Sequence, residues 1–254
     1  MSARVTYVGH AETLIELAGE RLLTDPVRRG RLLGVIRRAV PLPDPETAHR
    51  LSAVLISHLH SDHLDFHSLR MIPGPLRLIV PAGGARLLRR EGFERVLELE
   101  PGDWVNVGGV RVMATPAVHD GRRWKVGRRV PALGYELSGA GRRIYFAGDT
   151  DLFPGMAELA GEDHDLALLP ISGWGGPRTT AGHLDPRRAA EAAALMRPRV
   201  VVPIHWGTLK RSDELRRRPA LLRTPPLELA EHLHELAPDV ELRVLQPGAT
   251  TELG

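Results

Sequence analysis

Ala53-Val54-Leu55-Ile56-Ser57-His58-Leu59-His60-Ser61-Asp62-His63 is the stretch that decides how this 254-residue chain folds and works. The aliphatic run from Ala53 to Ile56 has the composition of a buried strand, and it delivers three histidines and an aspartate at its end. Residues two apart in an extended chain point the same way, so His58 and His60 can share one metal ion while Asp62 and His63, past the bend, face a second. With 12 histidines and 31 acidic residues available, a His-x-His-x-acid-His pattern arises by accident roughly 0.003 times in such a chain. Coincidence is therefore a poor account of it.

The same residues spell H-x-H-x-D-H, and with them the chain resembles the metallo-β-lactamase-fold hydrolases. The resemblance extends in the family's order to Asp25 in Leu-Leu-Thr-Asp-Pro, His119 in Pro-Ala-Val-His, Asp149 in Phe-Ala-Gly-Asp-Thr and His205 in Pro-Ile-His-Trp-Gly-Thr, and so spans nearly the whole chain. Val8-Gly9-His10-Ala11, Gly182-His183-Leu184-Asp185-Pro186 and Ile204-His205-Trp206-Gly207-Thr208 look like the branch that holds N-acyl-phosphatidylethanolamine phospholipase D and the ascorbate-phosphate lactonases. Such a likeness implies an α+β fold, a four-layer αβ/βα sandwich with metal ligands on loops along one edge where both sheets end. It also implies two divalent ions, His58, His60 and His119 serving the first, Asp62, His63 and His205 the second, and Asp149 both. Zinc is the leading ion for such a nitrogen and oxygen set, with manganese or iron as alternatives. Two ions of this kind acidify a water to hydroxide near neutral pH. Asp25 is expected to accept a hydrogen bond from a ligating imidazole, and Asp65 to stand beside the ligands. Asp62 and His183 are the expected catalytic pair, His183 approaching substrate rather than metal. His10 is placed either at the site mouth or as a hydrogen-bonded structural histidine, and Trp206 beside the substrate.

Composition sets the outer limits. With 43% hydrophobic residues the chain can bury a substantial core, and 1–254 suits one layered domain. No cysteine is present, which leaves histidine and carboxylate as the metal chemistry. Met1-Ser2-Ala3-Arg4-Val5 lacks the basic then apolar opening of a signal peptide, and no apolar run of about 18 residues occurs; a cytoplasmic protein without a transmembrane segment is expected. A pI near 9.8 overstates the charge, because the formal net charge is only +3 and only Lys125 and Lys210 among the basic residues are lysine.

Along the chain, Arg4 to Val8, Thr13 to Leu17 and Arg21 to Thr24 read as an opening meander. The apolar and basic stretch from 26 to 49 suits either a flap over the site or a solvated loop. Strand, helix and strand follow at Leu76 to Val80, Ala85 to Glu91 and Val96 to Leu99, and a hairpin at Trp104 to Ala117. Strands at Leu133 to Leu137, Arg143 to Ala147, Leu166 to Ile171 and Val200 to Ile204 frame helices at Leu152 to Leu159 and Asp185 to Met196, and Glu241 to Leu245 closes the chain. Residues 1 to 120 and 130 to 254 thus form two similar sets packed face to face. No P-loop or G-x-G-x-x-G occurs, so no nucleotide site is indicated.

Three arginine-rich segments each leave the framework just after a predicted site position: Arg28 to Arg38 after Asp25, Arg122 to Arg129 after His119, and Lys210 to Arg223 after His205. Arg122, Arg123 and Trp124 are the candidate phosphate and stacking contacts, with a charged hairpin tip as the plainer account. A basic rim points to a small anionic or amphiphilic substrate carrying a phosphodiester or phosphate. A lactone or carboxyl ester is the alternative, a non-catalytic metal-binding protein a more distant one, and nucleic acid is not favoured.

Overall fold

The two halves of the chain repeat one arrangement, an antiparallel meander that runs on into parallel strands. The computed structural model describes residues 3–124, 129–159, 163–172, 182–213 and 219–254. In the first half β1 (Ala3–Gly9), β2 (Glu12–Leu17) and β3 (Glu20–Thr24) are antiparallel neighbours. The turn between β2 and β3 is two residues long, Ala18 at φ 50° and Gly19 at φ 85°, the doubly left-handed geometry that matches the twist of paired strands.

The segment after Asp25 is not a bare loop. It forms β4 (Arg31–Leu32) and β5 (Ile36–Arg38), then a 3-10 turn at Pro45–Ala48 capped by Asp44. The buried strand β6 (Ala53–Leu55) then joins β3 in parallel, followed by α1 (Phe66–Met71), β7 (Leu78–Pro81), α2 (Ala85–Arg90) and β8 (Val96–Leu99).

The second half repeats the plan. β9 (Trp104–Val107), β10 (Val110–Ala117), β11 (Ala132–Gly139) and β12 (Arg142–Phe146) are antiparallel, and β13 (Leu166–Pro170) and β14 (Val200–Ile204) continue in parallel. Between those last two lies α3 (Pro186–Met196). Asp185 caps it by accepting from the Arg188 N–H, worth about 1 kcal/mol, and Arg197 ends it in the left-handed region before Pro198. β15 (Leu209–Arg211) pairs with β5, α4 (Pro225–Leu236) packs on α3, and β16 (Glu241–Leu242) and β17 (Thr250–Leu253) are the two last strands.

The strand orders are β17-β1-β2-β3-β6-β7-β8 and β16-β14-β13-β12-β11-β10-β9, with β15-β5-β4 as a small third sheet. One apolar core joins the inner faces of the large sheets, among them Val5, Ile15, Leu55, Val112, Tyr135, Phe146 and Val202. The outer face of the first sheet packs on α1 and α2 through Val54, Leu69 and Leu88, and that of the second on α3 and α4 through Ala189, Ala193, Leu229 and Leu233. Four layers result, an α+β metallo-β-lactamase fold of mixed sheets flanked by helices. The run Ala53 to Ile56 is apolar throughout because alternate residues feed different cores, Ala53 and Leu55 the inner and Val54 and Ile56 the outer.

Two elements differ from the pattern reading. No α-helix but 3-10 structure, at Pro154–Met156 and again at 158–159, forms where a helix over Leu152 to Leu159 is predicted, since Pro154 and Gly155 interrupt the run. The closing strand stops at Leu242, and the sheet edge is completed instead by β17, which pairs with β1 almost the whole chain away.

Candidate metal centre

Every strand that reaches the site stops there for a local reason. After Ile56, Ser57 leaves the sheet because its N–H and hydroxyl both donate to Asp25, at 2.7 and 2.5 Å. After β12, Gly148 turns at φ 61°, and a side chain there would lie 2.6 Å from Ser57 Cβ, so only glycine can deliver Asp149 against the ligand loop. His119 follows β10, and His205 follows β14 at φ 59°. Four strands drawn from both sheets thus converge at one edge.

His60 Nδ1 lies 3.0 Å from His58 Nε2 and 3.1 Å from His119 Nε2. Around the corner, His63 Nε2 is 3.3 Å from His205 Nε2 and 3.3 Å from Asp149 Oδ2, and Asp149 Oδ1 is 3.4 Å from His205 Nε2. Asp62 Oδ2 stands 3.9 Å from His63 Nε2 and 3.8 Å from His205 Nε2.

The tautomers follow from the outer partners. Asp25 Oδ2 takes the His63 Nδ1 proton at 2.7 Å, and the Gly182 carbonyl takes that of His119 at 2.8 Å. Ser57 Oγ, already donating to Asp25, accepts from His58 Nδ1 at 3.0 Å. Ser172 Oγ is 3.2 Å from His205 Nδ1. Fixing the proton on the outer nitrogen leaves the Nε2 lone pair facing inward, as metal-binding imidazoles require.

Inward lone pairs about 3 Å apart repel unless a cation lies between them. For a tetrahedral ion with bonds of about 2.0–2.1 Å the ligand atoms sit about 3.3 Å apart, close to these spacings. Asp149 Oδ1, buried and without a hydrogen-bond partner among the described residues, is a further acceptor in want of a cation. The side chains present therefore fit metal ions.

Charge divides the residues. Burial, joined by neighbouring histidine charges, pushes the His58 imidazole well below its ordinary range, and burial holds His119 down at about 4. His63 goes the other way: burial opposes its charge, but Asp149, Asp25 and Asp62 together raise it well above the ordinary value. Asp62 and Asp149 resist burial through the His63 and His205 charges and stay well below the usual carboxylate range.

His183 comes to the same edge, Nε2 3.4 Å from Asp149 Oδ2, its ring 4.6 Å from that of His119. His10, only 1% exposed, lies beneath Asp62 rather than at a mouth, with Nε2 3.3 Å from Asp62 Oδ2.

Several of the expected contacts have protein partners. Asp65 caps α1 through Ser68 and meets Arg29; among the described residues its hydrogen-bond and ion-pair partners do not include the candidate ligands. Trp206 is buried, donates Nε1–H to Pro203 O and stacks on Tyr7. Arg123 donates to the carbonyls of Leu59 and Leu64 and so props the loop that carries His60 and Asp62. Arg122 is held by Asp120, Arg28 is buried on Glu12, and Arg211 meets Asp213. Trp124 is 65% exposed. Lys125, Arg128, Gly173 to Gly176 and Arg216 to Arg218 lie outside the described residues. Ser57, which links Asp25, His58 and the ligand loop, had no signal of its own in the sequence beyond its place between strand and histidine.

A groove of about 390 Å³ opens beside His119, lined by Val118, Asp120, Arg122, Arg129, Val130 and Gly182. Arg129 is exposed there and has no partner among the described residues.

Comparison with known proteins agrees with this architecture. A β-lactamase superfamily domain matches residues 20–206. A UPF0173 metal-dependent hydrolase of Methanopyrus kandleri is 32% identical over 98% of this chain and 99% of its own length. Igni18, a metallo hydrolase from Ignicoccus hospitalis, superposes with a TM-score of 0.74 at 25% identity, covering 100% of this chain and 99% of that one. An isothiocyanate hydrolase from Delia radicum gut bacteria shares the fold, with a TM-score of 0.77 at 19% identity over 98% of each chain. The chain belongs to the β-lactamase superfamily, as a metallo-β-lactamase-fold metal-dependent hydrolase of the UPF0173 family.

Proposed function

We propose that this hydrolase holds two divalent ions, zinc foremost, and cleaves a phosphodiester or another phosphate-bearing ester. His58, His60 and His119 would hold the first ion, Asp62, His63 and His205 the second, and Asp149 would reach both. When bound, such a pair lowers the pKa of a water towards neutrality and polarises the bond to be cleaved. The chain's own part is to fix these side chains: Asp25 and Ser57 orient His63 and His58, and the Gly182 carbonyl orients His119. His183, with one nitrogen on Asp149 and its ring a fifth exposed, is placed to give a proton or hydrogen bond to the departing oxygen. That placement is also what favours the phospholipase D and phosphate-lactonase branch.

The observation that carries the phosphate reading is Arg129, a cation without a partner among the described residues, on the groove that ends at His119. One observation favours the carboxyl-ester or lactone alternative: Arg28, Arg122, Arg123 and Arg211 are occupied by protein partners, which removes much of the basic rim. The test is kinetic. Metal-analysed protein is assayed on an activated phosphodiester, a lactone and a β-lactam, and each kcat/KM is measured at low and high salt. The phosphate reading expects the phosphodiester to lead and to weaken with salt; a lactone that leads without salt dependence overturns it.

A further inference from the structure

His10 is held in its place from every side. Its backbone is left-handed, φ 59°, a conformation that is strained for a non-glycine residue and persists only where the surroundings enforce it. The enforcement is visible: the His10 N–H donates to Tyr7 Oη at 3.1 Å and Thr208 Oγ1 at 3.0 Å, and its carbonyl accepts from the His205 N–H at 2.7 Å. Tyr7 in turn donates to the Trp206 carbonyl. Gly9 cannot take a side chain there, since a Cβ would come within 3.2 Å of Thr208 and Arg38 at φ 132°. Residues 7–10 and 205–208 are thus clamped together, and Trp206 braces the clamp by stacking on Tyr7.

What the clamp presents is one imidazole. The His10 ring lies 4.0 Å from that of His205, and Nε2 is 3.3 Å from Asp62 Oδ2. A carboxylate oxygen only accepts, so a nitrogen at that distance either carries a proton or shares a cation with it. A nitrogen that donates to Asp62 has no lone pair for an ion.

We propose that His10 is a positioning residue, donating Nε2–H to Asp62 Oδ2 and, through its carbonyl bond to His205, setting two ligands of the second ion at once. This deepens the two-ion reading and rests on it. It also gives a physical reason for two stretches nearly 200 residues apart, Val8 to Ala11 and Ile204 to Thr208, to be paired in one chain.

The experiment titrates metal-free wild type, His10→Gln and His10→Ala with Zn2+ by calorimetry, and with Co2+ by visible absorption, which reports coordination directly. Wild type should bind in two resolved steps. His10→Ala should weaken the second step about 10- to 100-fold, the usual loss for a partner of a ligand, and leave the first unchanged. His10→Gln, whose amide N–H can donate but which is a poor ligand, should recover most of that affinity and keep the wild-type Co2+ spectrum. An unchanged second step in His10→Ala overturns the proposal. Equal losses in both variants, with an altered spectrum, make His10 a ligand and overturn it as well. A wild type that saturates at one ion removes the two-ion reading first and the proposal with it. Should His10→Ala fail to fold, ¹⁵N NMR of the wild-type ring decides: Nε2–H is expected, and a bare Nε2 overturns the donor assignment.

Discussion

The two halves of the candidate centre are built on different principles. His58, His60 and His119 form a set of imidazoles without a carboxylate, and two of the three are partly exposed. Across Asp149, His63 and His205 are buried, face Asp62 and are backed by Asp25 and His10. The first set is open to a groove; the second is a charge network held by the clamp between residues 7–10 and 205–208, with only Asp62 partly exposed. The first set is therefore the one beside an open groove, while the second depends on protein partners that cannot be exchanged without cost.

Asp149 is where that contrast collapses, because it reaches toward both sets. Asp149→Ala should reduce hydrolysis to background and weaken both ions; kcat/KM together with metal content checks it. Retention of two tight ions in that variant would show that the halves do not share a bridge. The next largest effect separates them. His63→Ala should lose one ion of two and at least about 100-fold in rate, with the remaining ion bound as in wild type. His58→Ala should strip the other ion instead. If either variant releases both ions together, the two sets are one cooperative unit.

How far the sequence foretold this arrangement depends on the kind of contact. Residues with distinctive chemistry were legible: His58, His60, His63, His119, Asp149 and His205 come together from four strand ends, and Asp25 meets His63. Partnerships were not, because charge in a sequence does not reveal what neutralises it. Arg28 finds Glu12, 16 residues earlier, and Arg123 finds two backbone carbonyls about 60 residues earlier, which carry no side-chain identity at all. Trp206 is expected beside the substrate from the likeness of Ile204 to Thr208 to a family branch, yet its side chain packs in the core and stacks on Tyr7. The last strand, Thr250–Leu253, was invisible for a related reason: four residues with weak alternation become a strand only because β1 offers an open edge.

His183 tests whether chemistry and metal binding are separable. His183→Ala should cost about 100-fold in kcat with KM and both ions unchanged, the effect of losing a proton donor. Loss of metal in that variant would move His183 into the first set, where its 3.4 Å approach to Asp149 and its contact with His119 would place it.

Opposite pKa shifts make the contrast measurable in metal-free protein. His119 titrates at about 4 when folded, against 6.5 for the free side chain, so between those values the unfolded chain binds a proton that the folded one does not. Its contribution is present above pH 6.5 and lost as pH falls towards 4. His63 is raised by three carboxylates, so its contribution is complete below 6.5 and lost as pH rises through the folded value. Thermal unfolding at pH 7.5, 6 and 4.5 should therefore show a smaller acid-side loss in His119→Gln than in wild type, and a larger one in His63→Gln. Identical pH profiles in the two variants would mean that the charge asymmetry between the halves is not real.

The smallest expected effect concerns how substrate reaches the open half. Among the described residues, Arg129 on the groove beside His119 has no partner, whereas Arg122 there is already held by Asp120, whose carboxyl is drawn down to about 2 by that contact. An exposed charge contact of this kind is worth up to about 1 kcal/mol, or roughly fivefold in rate constant. Arg129→Gln should therefore lower kcat/KM for a phosphodiester about fivefold at low salt, chiefly through KM, and the difference from wild type should fade at high salt as screening removes it. A neutral lactone should be indifferent to the substitution. Arg122→Gln offers the internal comparison: it frees Asp120 as well as removing a cation, so it should repel an anion more than Arg129→Gln does. If both variants hydrolyse the phosphodiester as wild type does at every salt concentration, the anion does not enter over the first set, and the carboxyl-ester reading gains what the phosphate reading loses.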